Sequence, residues 1–369
     1  MDDAFARAKR FTARHKAIFK HDHRLDVGQL STLVKGSDNG RLPEAIAAVN
    51  RDLQVGDGEL ATTDARTLVR ENDTLRELFS ATGLLLNTTC PKNSSRPCLK
   101  KSGNKWSMST FPYQRDYKDS HNEGRFNVCK SERFSDQEIA ADGSCTGFVF
   151  SKANIFVTAG HCLRKCSSRK AITDEALRNF RVVFGFAKDN GSVRRQFTSD
   201  QVFKVKLIDI GECEKRTLTG IRGKVRVNDY AILELDRANI LATPLSADPR
   251  VVKGKKLGVA GYPAGLPLKF SYIEGQDRKN EVNRVLIPNS VFSAKIDTFE
   301  GNSGSPVVSF RDPLKVVGML VAGNGDYFFS PGPPKCLNYQ AFGLDGIQRG
   351  EEVIDIKVVT AALKAKGGD

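Results

Sequence analysis

The chain has 369 residues with apolar and charged fractions of 40% and 27%, which places it among ordinary globular proteins of roughly two to three domains. The longest apolar run, residues 316–322, spans seven positions and contains Gly318, which excludes a membrane-spanning helix of the usual length. A net charge of +14 favours acidic partners, including nucleic acid and anionic polymers, but no zinc-finger spacing or aromatic-interleaved basic motif accompanies it, so a solvated basic surface is the reading.

Residues 4–20 carry Phe5, Ala8, Phe11, Ile18 and Phe19 at spacings that predict a helix. His15, His21, Asp22, His23 and Asp26 lie near them, at spacings that match no metal site, and no metal or other cofactor is expected. In residues 43–53 a proline opens a second predicted helix, with Ile46, Val49 and Leu53 on one face. Thr63 or Asp64 can cap a third, running through Leu68, Val69, Leu75 and Leu78 with a break near Asn72-Asp73. Residues 1–78 thus read as a mostly helical extension, whether propeptide, inhibitory segment or accessory domain.

At residues 79–86 the character changes to that of an apolar strand, the first element of a second region, 79–369. Residues 79–144 are an irregular lead-in, poor in apolar residues and holding Cys90, Cys98, Cys129 and the single tryptophan, Trp106; a local Cys90–Cys98 bridge would staple it. Eight cysteines without paired metal-site spacings suit an oxidising compartment, while the charged first ten residues lack a secretory h-region. A secreted or periplasmic protein whose signal is missing from this sequence is the expectation.

From Cys145 the pattern becomes that of short strands. Residues 145–150 and 155–158 are apolar runs joined by a polar turn, and the second leads straight into Ala159-Gly160-His161-Cys162. Further strands are predicted at 181–186, 202–205, 230–235 (preceded directly by Asp229), 256–263, 291–296 and 316–321, with a helix near 353–364. Many short strands punctuated by Gly and Pro predict a mainly β sandwich or barrel with a helical end. Between the strands at 291–296 and 316–321 stands Gly301-Asn302-Ser303-Gly304-Ser305-Pro306. There the two glycines permit conformations that aim backbone N–H groups into one cavity beside a serine hydroxyl.

A serine hydroxyl is a poor nucleophile unless an imidazole takes its proton and a carboxylate orients and stabilises that imidazole. His161, Asp229 and Ser303 supply the three residue types in that order. Their flanking motifs, Thr158-Ala159-Gly160-His161-Cys162, Asn228-Asp229-Tyr230-Ala231-Ile232-Leu233 and Gly301-Asn302-Ser303-Gly304-Ser305-Pro306, resemble the trypsin-like, chymotrypsin-fold serine peptidases from about Cys145 to the C-terminal helix. The resemblance implies two six-stranded antiparallel β-barrels with the triad in the cleft between them, an acyl-enzyme on Ser303, an oxyanion hole from the N–H groups of Gly301 and Ser303, and a Cys145–Cys162 disulfide.

Two features depart from animal trypsins. Asn302 stands where they carry an aspartate that pairs with a released amino terminus, and no Ile-Val-Gly-Gly start is present; the loop is more similar to the bacterial branch that includes the glutamyl endopeptidases. Yet residues 317–323 lack the histidine with which those relatives receive a glutamate side chain. Asp297, six residues before Ser303, matches the pocket aspartate of trypsins, and by the same resemblance Thr298 and Gly323 bind substrate; Asp297 reads equally as a strand-end residue bonded to nearby backbone. The expected activity is that of a serine endopeptidase acting on proteins or peptides, with cleavage after Lys or Arg. The competing expectations are a glutamyl- or apolar-specific peptidase, a catalytically silent homologue serving as a binding module, and an adaptor that meets an anionic polymer through its basic surface.

Overall fold

Short apolar runs, buried on both faces over most of their length, build the first sheet. The computed structural model describes residues 66–68, 73–88, 98–116, 127–140, 145–166, 168, 172–189, 192–219, 221, 224–271, 280–309, 314–323, 327–329, 336–339 and 350–367. Helix α1 (Asp73–Ala81) leads directly into β1 (Thr82–Asn87), followed by β2 (Cys145–Val149), β3 (Ile155–Thr158), β4 (Phe180–Phe184), β5 (Val202–Ile210) and β6 (Ala231–Leu235). These six strands close into an antiparallel barrel in the order β5-β6-β3-β2-β1-β4. Edge-to-face ring pairs, Phe156–Phe184 at 6.1 Å and Phe184–Phe203 at 5.4 Å, fill its interior.

The second sheet is built from β7 (Leu257–Gly261), β8 (Lys269–Ser271), β9 (Glu281–Ile287), β10 (Val291–Lys295), β11 (Pro306–Ser309), β12 (Lys315–Ala322) and β13 (Glu351–Asp355), and α2 (Ile356–Ala365) follows it. Its order is β8-β7-β11-β12-β13-β10-β9, with the three-residue strand Arg66–Leu68 added outside β8. The sheet curls until β9 returns to the residues just before β7. An isolated bridge joins Lys256 to Glu281, and the Leu257 N–H donates to the Asn280 carbonyl at 2.8 Å. The architecture is therefore a closed six-stranded barrel followed by a curled half-barrel and a C-terminal helix.

Several local expectations are corrected. Arg66–Leu68 is a strand paired with β8, where one helix was expected through Leu68, and α1 begins only after the Asn72 position. That helix runs on through residues 79–81, because Leu75, Leu78 and Phe79 are buried and Leu78 O accepts the Thr82 hydroxyl at 2.6 Å. It thus crosses residue 78, and its buried face joins the same core as the barrel. Strand β5 is nine residues long rather than four, since residues 205–210 pair with β6 across a bulge at Leu207/Asp209. Residues 353–355 are strand, not helix: they pair with β10 and β12, and Asp355 then caps α2 by accepting the Lys357 N–H at 2.9 Å. The helices expected at 4–20 and 43–53 lie outside the described residues.

Disulfides join Cys129 to Cys336, Cys145 to Cys162 and Cys166 to Cys213. Cys98 is also disulfide-bonded, while Cys90 lies outside the described residues. Among the described residues no helix is long and apolar enough to cross a membrane.

Candidate active site

Strand β3 ends at Thr158, and the extended Ala159 passes the chain into a single 3-10 turn, Gly160–Cys162, which carries His161. The Cys145–Cys162 bond ties this turn to the start of β2. Asp229 is delivered by the residue before it: Asn228 has φ +52°, a left-handed conformation that asparagine tolerates better than most. The Asp229 side chain is fully buried, and both its oxygens are bonded to His161. Oδ1 accepts the His161 backbone N–H at 2.8 Å, and Oδ2 lies 2.7 Å from Nδ1. Gly160 leaves room for this approach, since a Cβ there would stand 3.1 Å from Asp229 Oδ1 and 2.9 Å from the Tyr230 carbonyl oxygen.

An ionised carboxylate can only accept, so Nδ1 carries the proton and Nε2 is left as acceptor. Nε2 lies 2.9 Å from Ser303 Oγ. Burial alone would raise the Asp229 carboxyl; the hydrogen bonds and charge of His161, joined by the Arg226 guanidinium, outweigh it and hold the group below its usual range. Arg226 Nη1 stands 3.5 Å from Asp229 Oδ2 and donates to the Val321 carbonyl at 3.2 Å, while its backbone N–H donates to Glu352 Oε2 at 2.9 Å. Arg226 was not singled out from the sequence. The available signal was strand alternation, which buries Val225 and Val227 and turns the residue between them to the other face.

The loop around Ser303 divides its amides into two sets. The Asn302 N–H donates to the Phe299 carbonyl at 2.9 Å and the Gly304 N–H to Leu320 at 2.7 Å. The N–H groups of Gly301 and Ser303 have no hydrogen-bond partner among the described residues. Positive φ values of +94° at Gly301 and +90° at Gly304 produce this alternation. The loop is pinned to β2 by Thr146, whose N–H donates to the Ser303 carbonyl at 2.9 Å and whose hydroxyl donates to the Gly301 carbonyl at 2.8 Å. Asn302 is buried. Such a site can take a proton from Ser303 and offer two N–H donors to a negative oxygen bound beside it.

Of the other expected substrate-binding residues, Asp297 is half-buried and its main-chain oxygen accepts the Ser271 hydroxyl at 2.5 Å. Thr298 and Gly323 converge on a residue not anticipated from the sequence, Glu351. The Thr298 hydroxyl donates to Glu351 Oε2 at 2.5 Å, and a Cβ at Gly323 would overlap the Glu351 carboxylate. Cys145, His161 and Cys162 bring potential metal-ligating atoms within 4.8 Å of one another, but the disulfide consumes both thiolates. The histidines and aspartates at 15–26 lie outside the described residues.

Residues 145–319 match the family model described as a trypsin-like peptidase domain. A search of curated proteins finds no match. Similar solved structures include a Glu endopeptidase in complex with MPD, at 19% identity over 61% of this chain and 86% of that one, with a TM-score of 0.36. The Rv3671c protease in its inactive form is similar at 16% identity over 61% and 84% of the two chains, with a TM-score of 0.32. An inactive mutant of Rv3671c from M. tuberculosis H37Rv is similar at 14% identity over 61% and 82%, with a TM-score of 0.31.

Proposed function

We propose that the chain is a serine-type endopeptidase acting on proteins or peptides, as the match of residues 145–319 to a trypsin-like peptidase domain supports, and that Ser303, His161 and Asp229 are its catalytic triad. The carrying observation is the unbroken hydrogen-bonded chain from Asp229 through His161 to Ser303 Oγ. Ser303 Oγ attacks the scissile carbonyl while His161 Nε2 takes its proton. The N–H groups of Gly301 and Ser303 receive the resulting oxyanion, each donor contributing about 3 kcal/mol to the transition state. His161 then returns the proton to the leaving amine, an acyl-enzyme remains on Ser303, and a water activated by the same imidazole releases it. Asp229 holds the Nδ1–H tautomer throughout and offsets the imidazolium charge. Asn302 cannot make the ion pair on which animal trypsins depend, so competence does not require a newly released amino terminus.

The side chain before the cut enters beside Asp297, Thr298 and Gly323, and we assign it as Lys or Arg, with Asp297 the sequence-derived candidate for the matching charge. Three disulfides among the described residues support a secreted or periplasmic site of action. A sulfonyl fluoride is expected to label Ser303, and Ser303→Ala is expected to lower kcat by roughly 10⁴-fold or more without changing Tm. Persistent turnover in that variant overturns the assignment, and absent labelling of the wild type favours a silent homologue.

A further inference from the structure

We propose that Arg226 is a positioning residue of the triad: its guanidinium, held between the Asp229 carboxylate and the Val321 carbonyl, opposes proton uptake by His161 from solution and so extends the reaction of Ser303 to lower pH. The inference rests on the triad reading above and gives a role to a side chain that takes no part in the proton transfers themselves.

Local structure fixes the side chain first. Arg226 lies on the strand Lys224–Val227, which pairs with Glu214–Thr217 in a hairpin between β5 and Asp229. Val225 and Val227 are buried in the core on one face of that strand, which turns Arg226 to the other. The base of the hairpin is anchored: the Cys166–Cys213 disulfide joins it to the segment after the His161 turn, and the Gly211 N–H donates to the Tyr230 carbonyl at 2.9 Å. From there Nη1 reaches the second sheet, donating to the Val321 carbonyl at 3.2 Å. The next residue back, Leu320, accepts the Gly304 N–H of the serine loop. The backbone N–H of Arg226 adds its bond to Glu352 Oε2 on β13, so both sheets set where the guanidinium lies.

The charge then acts through one oxygen. Asp229 Oδ2 lies 2.7 Å from His161 Nδ1 and 3.5 Å from Arg226 Nη1, which puts the two nitrogens within about 6 Å of each other. A proton taken up by the imidazole places a second positive charge beside the first; the carboxylate favours it and the guanidinium opposes it. In the reaction the imidazolium forms together with the oxyanion, a pair of no net charge, whereas in acidic solution it forms alone. The guanidinium therefore weighs more on the second event than on the first. Asp229 is fully buried, while Arg226 is partly exposed, which weakens its charge without removing it. The other charged or titratable groups on the elements packed here are Lys215 and Lys224 of the hairpin, Arg164 after the His161 turn, Glu300 before the serine loop, Glu352 of β13 and the phenol of Tyr230, which donates to Asp209. Leu320, Val321 and Ala322 of β12 carry no charge. Among the described residues the cations paired with the Asp229 carboxylate are His161, when protonated, and Arg226.

The test uses the full chain with Arg226→Met and Arg226→Gln, which remove the charge and spare the backbone bond to Glu352, and with Arg226→Lys, which retains the charge. In the first arm the rate of Ser303 modification by phenylmethanesulfonyl fluoride is followed across about pH 5–9. The pH at which the rate falls to half is expected to be higher by about one pH unit in both neutral variants, and within about a third of a unit of the wild type in Arg226→Lys. The plateau rate at high pH is expected to change by less than about threefold. In the second arm the His161 ring is titrated by NMR in Ser303→Ala protein with and without Arg226→Met, and the same upward displacement is expected. Midpoints that stay in place or move down in the neutral variants, a lowered plateau with an unmoved midpoint, or an Arg226→Lys midpoint displaced as far as that of Arg226→Met overturns the proposal. If wild-type protein is not labelled, the peptidase reading fails, and the NMR arm still decides whether Arg226 acts on His161. Tm of each variant separates loss of the charge from loss of fold.

Discussion

The two sheets place their functional groups by different means. The first is a closed barrel, and it holds His161 and Asp229 at the ends of strands, braced by the Cys145–Cys162 disulfide and by a carboxylate bonded to both ring and backbone of the histidine. The second is a curled sheet that presents Ser303 from a loop whose shape depends on glycines with positive φ and on bonds to the first barrel. Thr146 makes that connection, donating to Ser303 and Gly301 and accepting the Tyr262 N–H at 3.1 Å. His161 is thus positioned within one unit, whereas Ser303 is positioned by contacts between two.

The largest effect of breaking this contrast is expected at the loop. Gly304→Ala forces a side chain into a left-handed conformation and onto the backbone carbonyl oxygen of Thr146, with Thr158 Oγ1 also only 2.5 Å away. A loss of about 4 kcal/mol in denaturant unfolding is expected, against roughly 1–2 kcal/mol for Gly160→Ala in the barrel, which meets a carbonyl at 2.9 Å without a positive φ. Equal losses would show that the loop is no more constrained than the barrel turn.

Next in size is the joint. Thr146→Val keeps shape but removes a buried hydroxyl that donates to Gly301 O and accepts from Tyr262. About 3 kcal/mol of stability is expected to go, together with a fall in kcat at unchanged KM if the N–H groups of Gly301 and Ser303 act as proposed, because they lose their register. A stability loss with full kcat would mean that the loop positions itself.

The smallest effect lies on the connection between the sheets, where Asp248 is buried, its N–H donates to Val316 O at 2.7 Å, and its carboxylate meets Lys255 at 2.6 Å and Arg250 at 3.2 Å. Burial alone would raise this carboxyl, but the bonds from Lys255 and Arg250 bring it down to about 2. A carboxylate depressed in the folded state contributes stability above its unfolded value near 4 and loses it as pH falls through the folded value. Urea unfolding of the wild type should therefore weaken between pH 4 and pH 2. Asp248→Asn should be less stable by about 2 kcal/mol at pH 7 and should converge with the wild type at pH 2. Parallel curves would remove Asp248 as a stabilising contact.

The serine loop and the turn of His161 were legible because each is a short contiguous motif, and the apolar runs of β2, β3 and β6 were legible because alternation is local. Residues 66–68 and 73–81 were not separable in this way. Leu68 fits a helical stripe with Leu75 and Leu78, and only the presence of β8 alongside makes Arg66–Leu68 a strand. The strand at 351–355 was hidden for the same reason: its apolar residues fit the helix that follows, and β10 and β12 on either side decide otherwise.

By itself the sequence determined the order of strand-forming runs, the glycines on which the Ser303 turn depends, and the presence of an imidazole, a carboxylate and a hydroxyl at element ends. These follow from backbone sterics and side-chain periodicity, which act over a few residues. The tertiary structure alone decided that Arg226 would reach Asp229, that Thr146 would hold the loop of Ser303, and that Glu351 would lie against Thr298 and Gly323. Those contacts join residues separated by as few as three and as many as 157 positions, and their partners are chosen by strand pairing and packing, which no local pattern encodes.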